Sequence, residues 1–293
     1  MPGLNTTGTP NTRDYNLGRG IIRLAALGAD GLPDANGFRD LGNAPEFTLS
    51  VTVEDLRHQS SREQLKFTDK RFVISQEAGI SFQLDEINFQ NLALFVSGTT
   101  STYDNPHDTT WATTSLSVIS TAVKLGNWYE LFDDGTAGSH GTARVYNLDA
   151  TGVVYAFEED PTGTPVTLAE GVDFELDKQM GLVRFLPTSI LVVDGNTVGW
   201  RISTGATTPQ DLDQVNALKT AEVTGALVFI SINAGDAGQK TEFRFHKVSL
   251  SSDGDFAMIG DEVTVMNFTG VAEVNNAVPD TSKVLTVRTY DQA

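Results

Sequence analysis

Apolar and polar residues alternate along two stretches near opposite ends of the chain, Leu41 to Leu49 and Phe243 to Leu250. That is the period of a half-buried β-strand. Further strands are predicted at Ile21 to Leu27, 46–54, 71–77, 79–84, Ala226 to Ile232, Glu242 to Leu250, Phe256 to Ile259, Val263 to Phe268 and Val284 to Tyr290. In the run Phe243, Phe245, Val248 the alternation slips by one. Gly28 to Gly37 carries Asp30-Gly31 and Pro33 and reads as a turn. Between the second and third strands, Leu56 to Asp69 is polar and charged, a long hairpin tip or loop.

One helix is predicted. Phe89, Leu92, Ala93 and Val96 recur at helical spacing and share a face. Asp85 or Asn88 can cap its start, and Gly98 stands where a left-handed C-terminal residue is wanted. Leu94 and Phe95 point away from that face, which calls for a second covering surface, from an inserted domain or an adjacent subunit.

The organisation is a polar N-terminal arm at 1–17, a β domain built from 18–114 and 206–293, and an inserted β-rich domain at 115–205. The clearest unit of the insert is a hairpin, Gly171 to Leu186, with Gly181 near its corner. Thr208-Pro209 is positioned to open a short helical turn through Val215 and Leu218.

Composition narrows the function. The chain has 293 residues, no cysteine and a formal charge of −18. Disulfides and thiolate metal sites are therefore impossible. No basic stripe suited to gripping a nucleic-acid backbone is visible. No signal-like opening or long apolar run is seen either, so a protein that is soluble and intracellular at synthesis is expected.

His58, His107, His140 and His246 are isolated and lack metal-ligand spacing. The carboxylate pairs sit beside turn residues, and Ser252-Asp253-Gly254-Asp255 lacks the remaining ligands of a calcium loop. Phosphate-binding glycine loops and nucleophile elbows are missing. The expectation is no enzyme, with no catalytic, cofactor or metal residue to nominate.

Several segments in order resemble the major tail tube protein of long-tailed bacteriophages. In the first half these are Tyr15 to Gly20, Leu41-Gly42-Asn43-Ala44-Pro45-Glu46-Phe47, and Asn91 to Phe95 before Gly98. In the second half they are Gly225 to Ser231, Phe245-His246-Lys247-Val248 and Ile259-Gly260-Asp261-Glu262. The resemblance implies a mainly β fold of two packed β-sheets, a sandwich or barrel flanked by one α-helix, with the insert as an elaboration.

It also implies hexameric rings that stack into a tube, a virion component assembled in the host cytoplasm. The implied partners are further copies of the chain, a tape measure protein, and tail terminator and distal tail proteins. Double-stranded DNA would pass without specific binding, along a wall that the acidity makes repellent to phosphates. Neither a membrane nor a cofactor is implied. Arg57, Arg62, Glu63, Lys66, Leu94 and Phe95 are the candidate inter-subunit contacts, with the arm at 1–17 as a second stacking element.

A carbohydrate-binding or adhesive β-sandwich is the alternative. Trp111, Trp128 and Trp200, all in or beside the insert, could stack on sugars. A hydrolytic enzyme is the third reading.

Overall fold

The computed structural model describes residues 18–60, 67–105, 117–120, 122–133, 143–146, 148, 154–159, 166–203, 211–232, 240–279 and 282–290. The arm at 1–17 lies outside them. Two compact units emerge: a main unit, from the chain up to Ser101 and the chain from Val215 onward, and an inserted unit, Thr102–Gln214. The insert is thus wider at both ends than the 115–205 read from sequence.

In chain order, the main unit begins with β1 (Gly20–Ala26), β2 (Arg39–Asp40), β3 (Glu46–Ser60), β4 (Phe67–Leu84), α1 (Phe89–Phe95) and β5 (Thr99–Tyr103). The insert follows as β6 (Ser117–Ser120), β7 (Trp128–Glu130), β8 (Phe132–Asp133), β9 (Ala143–Arg144), β10 (Val154–Glu159), β11 (Val166–Thr167), β12 (Phe174–Asp177), β13 (Leu182–Phe185) and β14 (Val198–Ser203). The chain closes with β15 (Leu212–Asn216), β16 (Val223–Ile232), β17 (Lys240–Ser252), β18 (Met266–Ala272) and β19 (Leu285–Tyr290). The chain enters and leaves the insert through a two-stranded pairing of β5 with β15. The helical turn expected through Val215 is therefore strand.

The main unit is mainly β, an eight-stranded sheet in the order β2-β1-β16-β17-β18-β4-β3, with β19 added on β17. All of its pairings are antiparallel. One edge of β17 pairs with β16, and the other is divided, Lys240–Phe245 to β19 and Val248–Ser252 to β18. The slip in the alternation is a bulge: Gly225 faces Val248 while Leu227 faces Phe245, so β17 carries one extra residue. Phe245 and His246 are consequently both buried.

Splitting and bulge curl the sheet until its distant strands face each other. Phe47 of β3 stacks on Phe229 of β16 with ring centroids 4.5 Å apart, although three strands separate them in the order. Phe82, Phe245 and Phe268 continue this aromatic core. The result is sandwich-like. Among the described residues no hydrogen-bonded ring of strands closes a barrel.

α1 packs on this core with a different face from the one its spacing predicts. Asn91 and Ala93 are buried, and Leu94 and Phe95 pack against the core, Phe95 on Phe256 and Phe268 at 5.4 and 5.8 Å. The main unit itself thus covers the two side chains for which a neighbour or an inserted domain was expected. Asn88 is the cap, its Oδ1 accepting from Asn91 N at 2.8 Å. The left-handed position after the helix is Ser97 (φ 47), not Gly98. Gly98 is needed for another reason: a Cβ there would lie 2.7 Å from the Asn216 carbonyl oxygen.

Asn91 reaches 0% exposure because every polar atom of its side chain is used. Its Oδ1 accepts from Arg39 Nη1 at 2.7 Å, and its Nδ2 donates to the carbonyls of Leu41 and Glu86 at 2.8 and 3.0 Å. Burial pushes the Arg39 guanidinium below its ordinary pKa, with Asp40 opposing.

The inserted unit is a small β-sandwich of its own. A sheet β11-β10-β14-β6 and a sheet β12-β13-β7 contribute to one core that includes Phe157, Phe174, Phe185 and Trp200. Phe157 of the first sheet meets Phe174 of the second at 4.4 Å. The hairpin corner is Gly181 (φ 59), where a Cβ would fall 1.8 Å from the Val145 carbonyl oxygen.

The strand predicted at Phe256 to Ile259 is not formed, and the one predicted at Val263 to Phe268 forms only from Met266 onward. Residues 256–265 make a loop after β17, with β18 beginning only at Met266, because Phe256 turns inward onto Phe95.

The Asn91 network yields a stability test. Asn91→Ala strands Arg39 Nη1 and the Leu41 and Glu86 carbonyls, and should cost the main unit about 3 kcal/mol. Urea denaturation followed by a probe of the main unit should show the midpoint falling, with the insert's transition unmoved.

Candidate functional site: an exposed β-hairpin arm

Only Ala78–Leu84 of β4 pair with β18. Beyond that point, among the described residues, β3 and β4 pair solely with each other, Thr52 with Glu77 through to Ser60 with Phe67. At about 3.4 Å per residue the ribbon runs about 30 Å past the sheet. Every residue from Phe67 to Glu77 is exposed, and on the β3 side from Val51 to Ser60 only Asp55 and Ser60 are half-buried. Of the charged stretch read as a long hairpin tip or loop, 56–60 and 67–69 are strands of a hairpin, and 61–66 lie outside the described residues.

The arm is apolar where it should be polar. Val51, Val53, Leu56, Phe67, Phe72, Val73 and Ile74 are all exposed, Leu56 at 58% and Ile74 at 61%. Strand alternation puts Val51 and Val53 on one face and Leu56 on the other, with Phe72 opposite Leu56. Among the described residues neither face has a cover. Bulges at Glu54/Asp55 and His58/Gln59 add local twist. β3 is also a terminal strand of the sheet, so its outer edge is unpaired among the described residues. It is long and lacks proline or lysine, the usual blunting devices of an edge.

Charged side chains stitch the ribbon together. Asp55 Oδ2 accepts from Arg57 Nε at 3.0 Å and Arg71 Nε at 3.1 Å, its side chain 15% exposed beneath the two guanidiniums. Nearer the tip, His58 Nδ1 lies 2.6 Å from Asp69 Oδ1. Lys70 Nζ sits 4.7 Å above the Phe72 ring. A second exposed apolar element is the loop after β17, where Met258, Ile259 and Val263 stand among Asp255, Asp261 and Glu262.

Of the contact candidates read from sequence, Arg57 lies on the arm with its side chain 67% exposed. Arg62, Glu63 and Lys66 lie outside the described residues, and Leu94 and Phe95 face the core. The apolar members of the arm were not nominated. Their signal in the sequence is the pair of apolar runs, Val51 and Val53 on one strand and Phe72-Val73-Ile74 on the other.

The tryptophans separate. Trp200 is 1% exposed and donates Nε1–H to the Phe132 carbonyl at 3.2 Å, so it cannot stack on a ligand. Trp128 is 47% exposed, and Trp111 lies outside the described residues. His246 is buried with Nε2 2.9 Å from Thr286 Oγ1. Among the described residues no group of three or more His, Asp or Glu could hold a metal, and no helix is long and apolar enough to cross a membrane.

The ionic stitching gives the arm a pH profile. The hydrogen bond from Arg57, aided by Arg71, holds Asp55 below the usual carboxylate range, and the hydrogen bond from His58 does the same for Asp69. Depressed carboxylates contribute stability above their unfolded pKa and lose it as pH falls through the folded value. Cross-strand amide contacts of the arm should therefore persist at pH 5 and weaken only below about pH 4. In Asp55→Asn they should already be weaker at neutral pH.

A comparison with curated proteins found no match. A family model described as "Protein of unknown function UCP028589" matches residues 15–128 and 136–284, so it spans the main unit and the insert alike. The chain belongs to this family.

Proposed function

We propose that the chain is a structural subunit that self-assembles into stacked hexameric rings, the tail tube of a long-tailed bacteriophage. The arm carries this reading. A two-stranded ribbon without a sheet or helix to lie on is marginal in water. One with apolar residues on both faces and an open edge is a hazard to a free monomer. Both features acquire a purpose when the arm lies against another copy. A receiving surface elsewhere on the neighbouring copy would make the contact head-to-tail, the kind that closes rings or extends filaments.

Resemblance to tail tube proteins along the sequence supports the same reading and supplies the hexameric geometry. The tape measure protein, tail terminator and distal tail proteins, and passing DNA then follow as partners, with the virion as the destination. With 38 acidic against 20 basic residues, the assembled wall would offer phosphates few attractive contacts. No catalytic role is assigned to any residue.

Negative-stain microscopy of the purified chain over a concentration series tests the proposal. Rings or hollow tubes with sixfold end views are expected. Leu56→Thr combined with Phe72→Thr should abolish them while leaving the circular dichroism spectrum and melting temperature close to the parent's, since both side chains are exposed and threonine suits a strand. Assembly by the double variant equal to the parent would refute the role given to the arm. A parent chain that stays monomeric at every concentration would refute the proposal itself.

A further inference from the structure

The outer face of the β12-β13-β7 sheet bears a cross-strand row of Trp128, Arg184 and Glu175, set side by side by the register. On the opposite face Tyr129, Val183 and Leu176 pack with the core of the inserted unit, so the row is committed to solvent. Arg184 Nη2 donates to Glu175 Oε2 at 2.5 Å, and its guanidinium carbon sits 5.2 Å from the centre of the Trp128 ring. The indole is thereby held flat by a cation that is itself tethered, which leaves its exposed surface preorganised.

Beside this row lies an open cavity of about 620 Å³, lined by Trp128, Glu170, Glu175, Asp177, Lys178 and Gln179. Its rim is fixed from below. Asp173, 2% exposed, accepts from Ser189 Oγ at 2.6 Å and Ala169 N at 3.0 Å, and Gly171 N donates to the Phe174 carbonyl at 2.8 Å. The turn carrying Glu170 is therefore held by buried hydrogen bonds.

We propose that this cavity is a binding site for a neutral sugar ring. A flat exposed indole accepts the C–H face of a pyranose, and carboxylates with a carboxamide around it can bond to ring hydroxyls. The volume falls in the range of small-molecule sites. Charge weighs against the main competitors. With Arg184 and Glu175 paired to each other, Glu170 and Asp177 stand against Lys178, a balance that disfavours phosphates and acidic sugars. A cationic peptide would meet the Arg184 guanidinium already stacked on the indole, and the oligolysine control tests it directly. The site lies wholly within the inserted unit and does not rest on the assembly proposal.

The test is titration of the full chain with maltopentaose, cellopentaose, chitopentaose and laminaripentaose, read by calorimetry and by tryptophan fluorescence. Polygalacturonate and an oligolysine peptide serve as charged controls. Saturable millimolar or tighter binding of at least one neutral oligosaccharide is expected. Trp128→Ala should weaken it by about tenfold, and Trp128→Phe by less, since an aromatic face remains. Both variants should keep the parent's circular dichroism spectrum, Trp128 being half exposed. Absence of binding to all four sugars would overturn the proposal, as would equal binding by Trp128→Ala or preference for either charged control.

Discussion

The main unit depends on one strand having two partners along a single edge. β18 and β19 are both antiparallel to β17 and take successive segments of that edge, β19 on Lys240–Phe245 and β18 on Val248–Ser252, with the change of partner falling at the bulge. The extra residue near His246 absorbs the change and re-aims the side chains, so that Phe245 and Val248 both reach the core. Curling follows, and with it the contact of Phe47 on Phe229 that a flat sheet of this order would forbid. The apolar faces of distant strands cover one another, and α1 needs to close only what remains.

The same sheet that buries its aromatic core at one end leaves it behind at the other. Along β4, Ile80, Phe82 and Leu84 are buried, while Phe72, Val73 and Ile74 stand in water. The transition occurs where β18 ends, and the charges of β4, Asp69, Lys70, Arg71 and Glu77, all lie on the exposed side of it. What continues is held by hydrogen bonds and by the Asp55 cluster, with no apolar burial to add to them. The inserted unit balances its surface in another way, with polar groups around its exposed indole.

Local chemistry was legible where a residue's role is decided by its near neighbours. The strand periods, the Asn88 cap and the Gly181 corner belong to this class. Roles decided by distant partners were not. Leu94 and Phe95 were read as facing outward because helical spacing favoured Phe89 and Leu92, whereas Asn91 was available as a buried anchor for Arg39 and the Leu41 and Glu86 carbonyls. Phe256 reads as strand and serves as a lid on Phe95. The arm was half visible: its charges, Arg57 among them, were noticed, but its apolar side chains pass for ordinary core until the pairing shows no sheet beneath them.

The β5–β15 pairing governs how the main unit can come together at all. Ala26 pairs with Gly225 across an intervening chain of about 200 residues, a large closure for an unfolded loop. An insert that folds on its own core and ends in two paired strands delivers Thr99 and Asn216 as near neighbours. The long loop then contracts to the few turns that remain, and the entropy of the search is spent in local steps. The sandwich in the middle of the chain thus acts on its host as a staple, joining in space two halves that the gene keeps apart.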